Sequence, residues 1–215
     1  MTELNAAMLK LDIPARIKKL PLDERGYPVP AFVATIDGKP DFRVVKPNFV
    51  TTCIRLNLCW LCGEQLGKYK AFVIGPMCAV NRVSSEPPSH LDCARFACVA
   101  CPFLTQPRRP RNPHGLPEEA VAGAGMPIDR NPGVTLLWVT KDYRVFKAPG
   151  GILLRIGPQV KTEWYARGRA ATREEILHSI ETGLPTLRNM AAAEGAEAIK
   201  DLEAQVTEAM ELVPA

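Results

Sequence analysis

Two runs rich in β-forming residues lie on either side of Asp37-Gly38, near the start of the chain. Val33 and Ile36 are apolar positions of the first run, and Val44 and Val45 are those of the second. An Asp-Gly pair between two such runs favours a tight hairpin turn. The pattern therefore predicts an N-terminal β-hairpin.

The following run, PNFVTTCIRLN (47–57), fits a short helix with Asn48 as its cap. Four apolar side chains would share one face of that helix: Phe49, Val50, Cys53 and Ile54. The end of the run alternates between apolar and polar residues, so a short strand stays open as the alternative.

Three short β runs come much later, in VTLLWVT (134–140), YRVFKAP (143–149) and GILLRIG (151–157). The residues between them, Lys141-Asp142 and Pro149-Gly150-Gly151, are typical of turns. We expect these runs to form an antiparallel meander that extends the N-terminal hairpin.

The last third of the chain has the pattern of helices. Thr172 and Glu175 form a capping box that opens the first one, and Gly183 is expected to close it. Pro185 suits the first turn of a second helix, which would end near Gly195. We expect a final helix to pack on its neighbour or on its own domain through a narrow apolar stripe. The members of that stripe are Ile199, Leu202, Val206, Ala209 and Val213.

Composition narrows the class of protein. The chain has 215 residues, of which 47% are hydrophobic, so it can bury a core and does not belong to the disordered class. It lacks an apolar run near the ~20 residues of a membrane span, and its first twenty residues do not have the pattern expected of a secretory signal. We therefore expect a cytosolic protein, in which clustered cysteines are more often metal ligands than disulfides. The net charge of +4 tolerates a polyanionic partner without requiring one.

Six of the seven cysteines lie close together in the middle of the chain, and the odd total argues against a closed set of disulfides. Cys59 and Cys62 form a CxxC pair, which can hold one metal ion on a tight turn. Gly63 permits the positive φ that such turns often need. His90 and Cys93 are three positions apart and would share the first turn of a helix. The spacing predicts a structural zinc site with these three cysteines and His90 as ligands.

Between the CxxC pair and that helix, KYKAFVI (68–74) and CAVNRVS (78–84) are predicted strands on either side of Gly75-Pro76. A knuckle, a hairpin and a helix that supplies the last two ligands resemble the treble-clef zinc folds. The resemblance covers residues 59 to about 101 and implies the same four ligands. It implies no particular activity, because treble clefs serve nucleic-acid binding, protein binding and nuclease scaffolds alike.

Two alternatives to this ligand set stay open. Cys98 and Cys101 form a second CxxC pair, which could replace the helical pair in a four-cysteine site. The chain could also hold no metal, with its cysteines acting as small buried hydrophobes. That interpretation suits Cys53 and Cys78, since each lies alone in an apolar run.

Residues 59–104 also resemble a block of sequence in uncharacterised proteins of bacteria and their phages. The shared text reads CWLCG…FVIGPMCAVNRVSSEPPSH…CPFL. The resemblance implies the cytoplasm of a bacterial or phage-infected bacterial cell, and it implies no activity.

Residues 102–133 are loaded with proline and glycine, and long loops of this kind tend to be functional or disordered. Their basic residues, together with two near the N-terminus, are candidates for contacts with phosphates. The candidates are Lys18, Lys19, Arg108, Arg109 and Arg111. Three aromatic residues of the predicted meander could stack on bases, although at strand spacing such residues more often belong to a core. They are Trp138, Tyr143 and Phe146.

The leading functional hypothesis is a non-enzymatic, zinc-stabilised binding protein that contacts nucleic acid. Its rival is a protein-interaction or inhibitor module that acts on a host protein complex. A nuclease-like zinc scaffold, with His114 in its loop, is less favoured. Enzymatic activity is disfavoured, because four protein ligands leave no metal position for an activated water.

We predict an α+β fold in which β hairpins surround a zinc-stapled, treble-clef-like module and α-helices close the chain. Residues 1–101 would hold the hairpin and the zinc module, and residues 134–215 the meander and the helices. Residues 102–133 form the loop between them, and the two flanking parts are expected to make one compact domain. The oligomeric state stays open.

Overall fold

A computed structural model describes residues 2–106 and 132–215, and it confirms the predicted mixed α+β class. The helices are α1 (Ala15–Lys18), α2 (Phe49–Leu56), α3 (Pro76–Asn81), α4 (Leu91–Ala100), α5 (Pro102–Thr105), α6 (Arg173–Glu194) and α7 (Ala196–Met210), with one 3-10 turn at Met8–Lys10. The strands are β1 (Val33–Ile36), β2 (Lys39–Val45), β3 (Lys70–Ile74), β4 (Val83–Ser84), β5 (Thr135–Thr140), β6 (Tyr143–Ala148), β7 (Gly151–Ile156), β8 (Gln159–Ala166) and β9 (Arg169–Ala170).

The strands form three antiparallel sheets, with the orders β1-β2, β3-β5-β8-β9 and β4-β7-β6. Each of the two larger sheets joins a strand that precedes residue 106 to strands that follow residue 132. The two described parts of the chain are therefore joined by backbone pairing as well as by side-chain packing.

The N-terminal hairpin is confirmed as β1 and β2. Its turn residues Asp37 and Gly38 have φ values of 49° and 78°, the positive values that a two-residue hairpin turn needs. Val33 and Val44 are buried, whereas Val45, which lies opposite Val33, is 36% exposed. The pair forms a sheet of its own, so the expectation that the later β runs extend it is wrong.

The predicted meander is correct only for β6 and β7, which form a hairpin. Strand β5 instead lies between β3 and β8, with Phe72 opposite Trp138 and Leu136 opposite Trp164. All six residues of β5 are buried. A central strand covered on both faces has a continuous apolar run rather than an alternating one, which explains the pattern of TLLWVT.

The strand predicted in CAVNRVS is wrong for most of its length. Pro76 opens helix α3, since proline fits the first turn of a helix, and only Val83–Ser84 form a short strand, which pairs with β7. Met77 and Val80 are buried together with residues of the two larger sheets and of α6 and α7, and this burial favours the helix. Strand β3 pairs with β5, so the predicted zinc hairpin is absent from the described part of the chain and the treble-clef layout is not confirmed.

Helix α2 confirms the helical interpretation of residues 47–57. Asn48 lies at its N-cap position, but with φ of 61° and no hydrogen bond from its side chain to the helix. The predicted capping role of Asn48 is therefore wrong, although the helix begins where expected.

Helix α6 opens at the predicted capping box. The Glu175 amide donates to Thr172 Oγ1 at 3.2 Å, and the Thr172 amide donates to Glu175 Oε2 at 2.9 Å. The expected end at Gly183 is wrong, because the helix continues through Pro185 to Glu194. A Cβ atom at Gly183 would lie 2.8 Å from Met77 Cε, so this glycine allows α3 to pack closely rather than ending the helix. Helix α7 packs on α6, as expected.

Three groups of buried side chains hold the described parts together. The sheet–helix core lies between the two larger sheets and helices α3, α6 and α7, and its largest fully buried members are Trp138, Phe72, Leu136, Leu154 and Ile176. The N-terminal core joins the first twenty residues to the cysteine-rich turn and to one side of α4. A small third cluster joins the other side of α4 to β3 and β5.

Over residues 2–106 and 132–215, no helix has both the length and the apolar character needed to cross a membrane.

Candidate metal centre

The CxxC pair lies on a tight turn that follows α2. The Cys59 amide donates to the Glu64 carbonyl at 2.8 Å, and the Gly63 amide donates to the Cys59 carbonyl at 2.9 Å. Gly63 has the expected positive φ, 76°. These bonds bring the thiols of Cys59 and Cys62 to one side of the turn, as a metal knuckle requires.

The second pair lies at the start of α4. His90 is the N-cap residue of this helix and Cys93 lies in its first turn, as the three-residue spacing predicts. An isolated β-bridge between Ser89 and Ala71 fixes the chain just before the helix, and the Trp60 amide donates to the Pro88 carbonyl at 3.0 Å. The start of α4 is thereby held against the CxxC turn.

The four candidate ligand atoms form a compact group, and all lie within 4.8 Å of one another. His90 Nδ1 is 3.4 Å from Cys62 Sγ and 4.0 Å from Cys93 Sγ. Metal–sulfur and metal–nitrogen bonds of about 2.3 and 2.0 Å give tetrahedral edges of roughly 3.5–3.8 Å. The Cys3His group of Cys59, Cys62, His90 and Cys93 is therefore compatible with a metal ion, and the assignment of these residues as ligands stays a prediction.

The imidazole of His90 is oriented by the backbone. Its Nε2 lies 3.0 Å from the carbonyl oxygen of Gln65. Because a carbonyl oxygen only accepts hydrogen bonds, Nε2 carries the proton, and the lone pair of Nδ1 points toward the sulfur atoms. A carbonyl partner of this kind commonly fixes the tautomer of a metal-binding histidine.

Hydrogen bonds divide the charge unequally among the three thiols. The pKa of Cys59 is lowered because its sulfur accepts hydrogen bonds from the thiols of Cys62 and Cys93 and from two backbone amides. Those amides belong to Cys62 and His90, each 3.4 Å from the sulfur. The pKa of Cys62 is raised to about 11, and that of Cys93 is raised as well, first because each donates to Cys59. A bound cation would favour the thiolate form of all three groups.

An apolar shell surrounds the inner side of this group. Cys59 and Cys93 are fully buried, whereas Cys62 and His90 are partly exposed. The shell consists of Met8, Ile13, Ile17, Leu66, Phe96 and Ala100. Half of it comes from the first seventeen residues, so the N-terminal segment covers the candidate centre and excludes water from its inner side.

Arg16 is a residue near the centre that the sequence pattern does not indicate. Its guanidinium contacts Asp92 of α4 at 2.9 Å and Glu64 of the CxxC turn at 3.2 Å. Asp92 is the main reason that the pKa of Arg16 is raised, and the neighbouring Cys93 and Cys62 add to the effect. Arg16 thus links the N-terminal segment to both halves of the candidate centre. Its partners are far away in sequence, so local spacing contains no signal for this contact.

The second CxxC pair is not brought to the centre. Cys98 lies five residues after Cys93, on another side of α4, where it packs in the cluster with Leu137 and Val139. Burial raises the pKa of Cys98 to about 12 and raises the pKa of Cys101 as well. In residues 2–106 and 132–215, the group near enough to share one ion contains neither of them.

Cys53 and Cys78 fit the interpretation as small hydrophobes. Cys53 is buried, and Cys78 packs against the sheet–helix core. Burial raises their pKa values to about 12 and about 11.

The candidates for nucleic-acid contact fall in different places. Lys18 is exposed, and Lys19 forms an ion pair with Glu64 at 2.8 Å. Trp138 is fully buried, and Tyr143 packs edge-on against Phe72, so these two aromatic rings belong to the core. Phe146 is partly exposed. Three further candidates, Arg108, Arg109 and Arg111, lie outside the described residues, as does His114 of the nuclease-like alternative.

No protein-family model, curated protein or solved structure matches this chain in comparisons with known proteins. The Cys3His group is accordingly the feature with the most sharply defined chemistry in the described residues.

Proposed function

We propose that the chain is a zinc-stabilised binding protein in which Cys59, Cys62, His90 and Cys93 hold one structural Zn²⁺. The observation that carries this proposal is the convergence of four ligand atoms within 4.8 Å. Thiolate and imidazole are the ligands that zinc prefers, and a tetrahedral set of three cysteines and one histidine is typical of structural zinc sites.

A structural role is favoured over a catalytic one. Three thiolates and one imidazole would fill the tetrahedron, which leaves no position for the activated water of a hydrolytic zinc site. The ion would instead fix the CxxC turn, the start of α4 and the N-terminal segment in one arrangement. Arg16, in contact with Asp92 and Glu64, would offset the single negative charge of a zinc ion with three thiolates.

The partner that we propose is nucleic acid. The net charge of +4 and the exposed Lys18 support this, and so does the group of basic residues that includes Arg108, Arg109 and Arg111. We place the protein in the cytoplasm of a bacterial or phage-infected cell, as the sequence block at residues 59–104 implies. The rival partner is a host protein complex.

Metal analysis tests the zinc proposal. Protein purified without chelator should contain about one zinc per chain. Cys53→Ser provides a matched control, since this buried cysteine is not part of the Cys3His group and should keep the ion. Protein that folds without a stoichiometric metal would overturn the proposal.

A pull-down from bacterial lysate, with and without nuclease, tests the choice of partner. Nucleic acid should be captured from untreated lysate and lost after nuclease treatment, and its retention should weaken steeply with added salt. A host protein that is retained after nuclease treatment and is insensitive to salt would favour the rival.

A further inference from the structure

The sheet β4-β7-β6 has one face in the core and one face turned away from it. Leu154 and Ile156 point inward and are buried in the sheet–helix core. On the opposite face, which we call the outer face, five residues are brought together by strand pairing. Arg144 of β6 lies opposite Arg155 of β7, and Phe146 lies opposite Leu153. On the other side of β7, Val83 of β4 also lies opposite Arg155.

The two arginines of the outer face carry uncompensated charge. Of the ten other arginines that the structure describes, seven form an ion pair with a described carboxylate within 4.0 Å, and Arg55, Arg167 and Arg173 do not. Arg144 and Arg155 are exposed and have no such partner among residues 2–106 and 132–215. Like charges directly opposite each other destabilise a strand pair, so this arrangement costs stability unless an anion relieves it.

Protection of a sheet edge does not explain this pair. Charged side chains on an edge strand can block unwanted pairing with other chains, and Arg144 of the edge strand β6 would suit that role. Arg155, however, lies on β7, which is paired on both sides, by β4 and by β6. Protection of an edge therefore does not account for Arg155, and what distinguishes the pair is that the two charges lie directly opposite each other.

An aromatic ring lies beside the two charges. The guanidinium of Arg155 lies over the ring of Phe146, with its central carbon 5.7 Å from the ring centroid. A planar guanidinium and an aromatic ring are the two kinds of side chain on which unpaired bases stack. Arg144 lies opposite Arg155 on the neighbouring strand and adds a second positive charge.

We propose that the outer face binds single-stranded nucleic acid, with Arg144 and Arg155 on phosphates and with Phe146 and the Arg155 guanidinium as a stacking surface. The proposal rests on the nucleic-acid contact proposed above and assigns it a place in the fold. A single strand is favoured over a duplex, because the bases of a duplex are stacked on each other and present no free face.

Fluorescence anisotropy with a labelled oligothymidine of about 12 nucleotides tests the proposal over a salt series. The variant Arg144→Gln/Arg155→Gln should bind at least about 10-fold more weakly at low salt, and its slope of log K against log salt should be shallower by about 1.4. Arg55→Gln/Arg167→Gln is the matched control. It removes the same charge from two exposed arginines elsewhere and should bind nearly as well as the parent protein.

Phe146→Leu separates stacking from charge. It keeps an apolar side chain on β6, and it should weaken binding about 5-fold or more while leaving the salt slope unchanged. A duplex of the same length should bind more weakly than the single strand. Zinc content and circular dichroism confirm the fold of each variant, and Arg144→Gln alone serves if the double variant does not fold.

Four results would overturn the proposal. If the parent protein binds and the arginine variant binds equally well, nucleic acid contacts another surface and the function proposed above survives. The same conclusion holds if the control double variant loses as much affinity. If the parent protein binds no oligonucleotide at low salt, both this proposal and the nucleic-acid function fail. Equal binding of duplex and single strand, with no effect of Phe146→Leu, would exclude the stacking surface.

Discussion

The N-terminal core and the sheet–helix core differ in the number and the types of their buried residues. The sheet–helix core contains 19 buried hydrophobic residues from two sheets and three helices. The N-terminal core contains eight, and two of these are the candidate ligands Cys59 and Cys93. The first region is large enough to be held by side-chain packing, whereas the second is small and has three thiols at its centre.

The difference shows where a metal would matter. A cluster of eight buried residues resembles the core of a very small domain, which rarely folds without a staple. Structural zinc in small peptides contributes about 10–16 kcal/mol of apparent binding energy, more than the net stability of many domains. In this molecule a bound ion would stabilise the N-terminal core, whereas the burial of apolar side chains stabilises the sheet–helix core.

Removing the metal should separate the two regions most strongly. With a strong chelator, backbone amides of residues 59–66 should lose protection from hydrogen exchange, because no ion would join the CxxC turn to α4. Residues 8–20 should lose protection with them, because their apolar side chains pack on that turn and on α4. Helices α6 and α7 and strand β5 should keep most of their protection. Unchanged exchange in both segments after confirmed metal loss would show that the N-terminal core does not need the ion.

Serine substitutions on the two sides of α4 sharpen the comparison. Cys93→Ser should lose the zinc and destabilise the N-terminal core, since it removes a candidate ligand. Cys98→Ser should keep the zinc and cost about 1–3 kcal/mol for burying a hydroxyl among apolar neighbours. Zinc content and urea unfolding measure the two effects. Zinc loss in Cys98→Ser but not in Cys93→Ser would instead support the four-cysteine site.

A cavity in the sheet–helix core should lower the stability of that core without changing the zinc content. Leu154→Ala removes most of a fully buried side chain and should lower the free energy of unfolding by about 2–5 kcal/mol. Zinc content at 25 °C should stay at that of the parent protein. Val145→Ala, at a neighbouring position that is 48% exposed, should change stability by no more than about 0.5 kcal/mol. Loss of zinc in Leu154→Ala would mean that the two regions unfold as one.

One ion pair links the two regions and should respond to acid. Arg95 of α4 donates to Glu163 of β8 at 2.9 Å, and this bond is the main reason that the pKa of Glu163 falls to about 2. Because the pKa is lower in the folded state, the stabilisation is complete above the unfolded value of about 4.3 and disappears as the pH falls toward 2.

Glu163→Gln should therefore be less stable than the parent protein at pH 7, and this difference should shrink between about pH 4.3 and pH 2. Urea unfolding of the sheet–helix core over this range measures it. Glu181→Gln, at an exposed position of α6, is the control and should show a much smaller difference. A difference for Glu163→Gln that did not change with pH would mean that the carboxylate charge is not what stabilises the link.

Features set by neighbouring residues could be predicted from the sequence. The Asp37-Gly38 turn needs only two residues with positive φ, and the Thr172 capping box spans four positions. The approach of His90 and Cys93 follows from their spacing in one helical turn. Because a CxxC pair is typical of metal sites, the sequence also predicts that the start of α4 lies beside the CxxC turn. Each of these signals acts over a few residues.

Features set by distant contacts could not be predicted in this way. Strands β3 and β5 pair with each other although their paired residues are more than sixty positions apart in sequence. This pairing replaces both the predicted zinc hairpin and the predicted meander. Strand β8 carries Lys161 and Glu163 and lacks an apolar run, so the pattern does not predict it. From the sequence, Gly183 is predicted to end a helix. Its actual role, which is to leave room for Met77 of α3, depends on a residue more than one hundred positions away.

The way in which the two larger sheets are shared has a consequence for the continuity of the chain. A polypeptide cut between residues 107 and 131 would give one fragment that holds β3 and β4 and another that holds β5 to β9. Neither fragment has a complete large sheet, yet together they contain every strand that the structure describes. The protein is therefore suited to fragment complementation, in which two separately made pieces regain a common fold only when they meet.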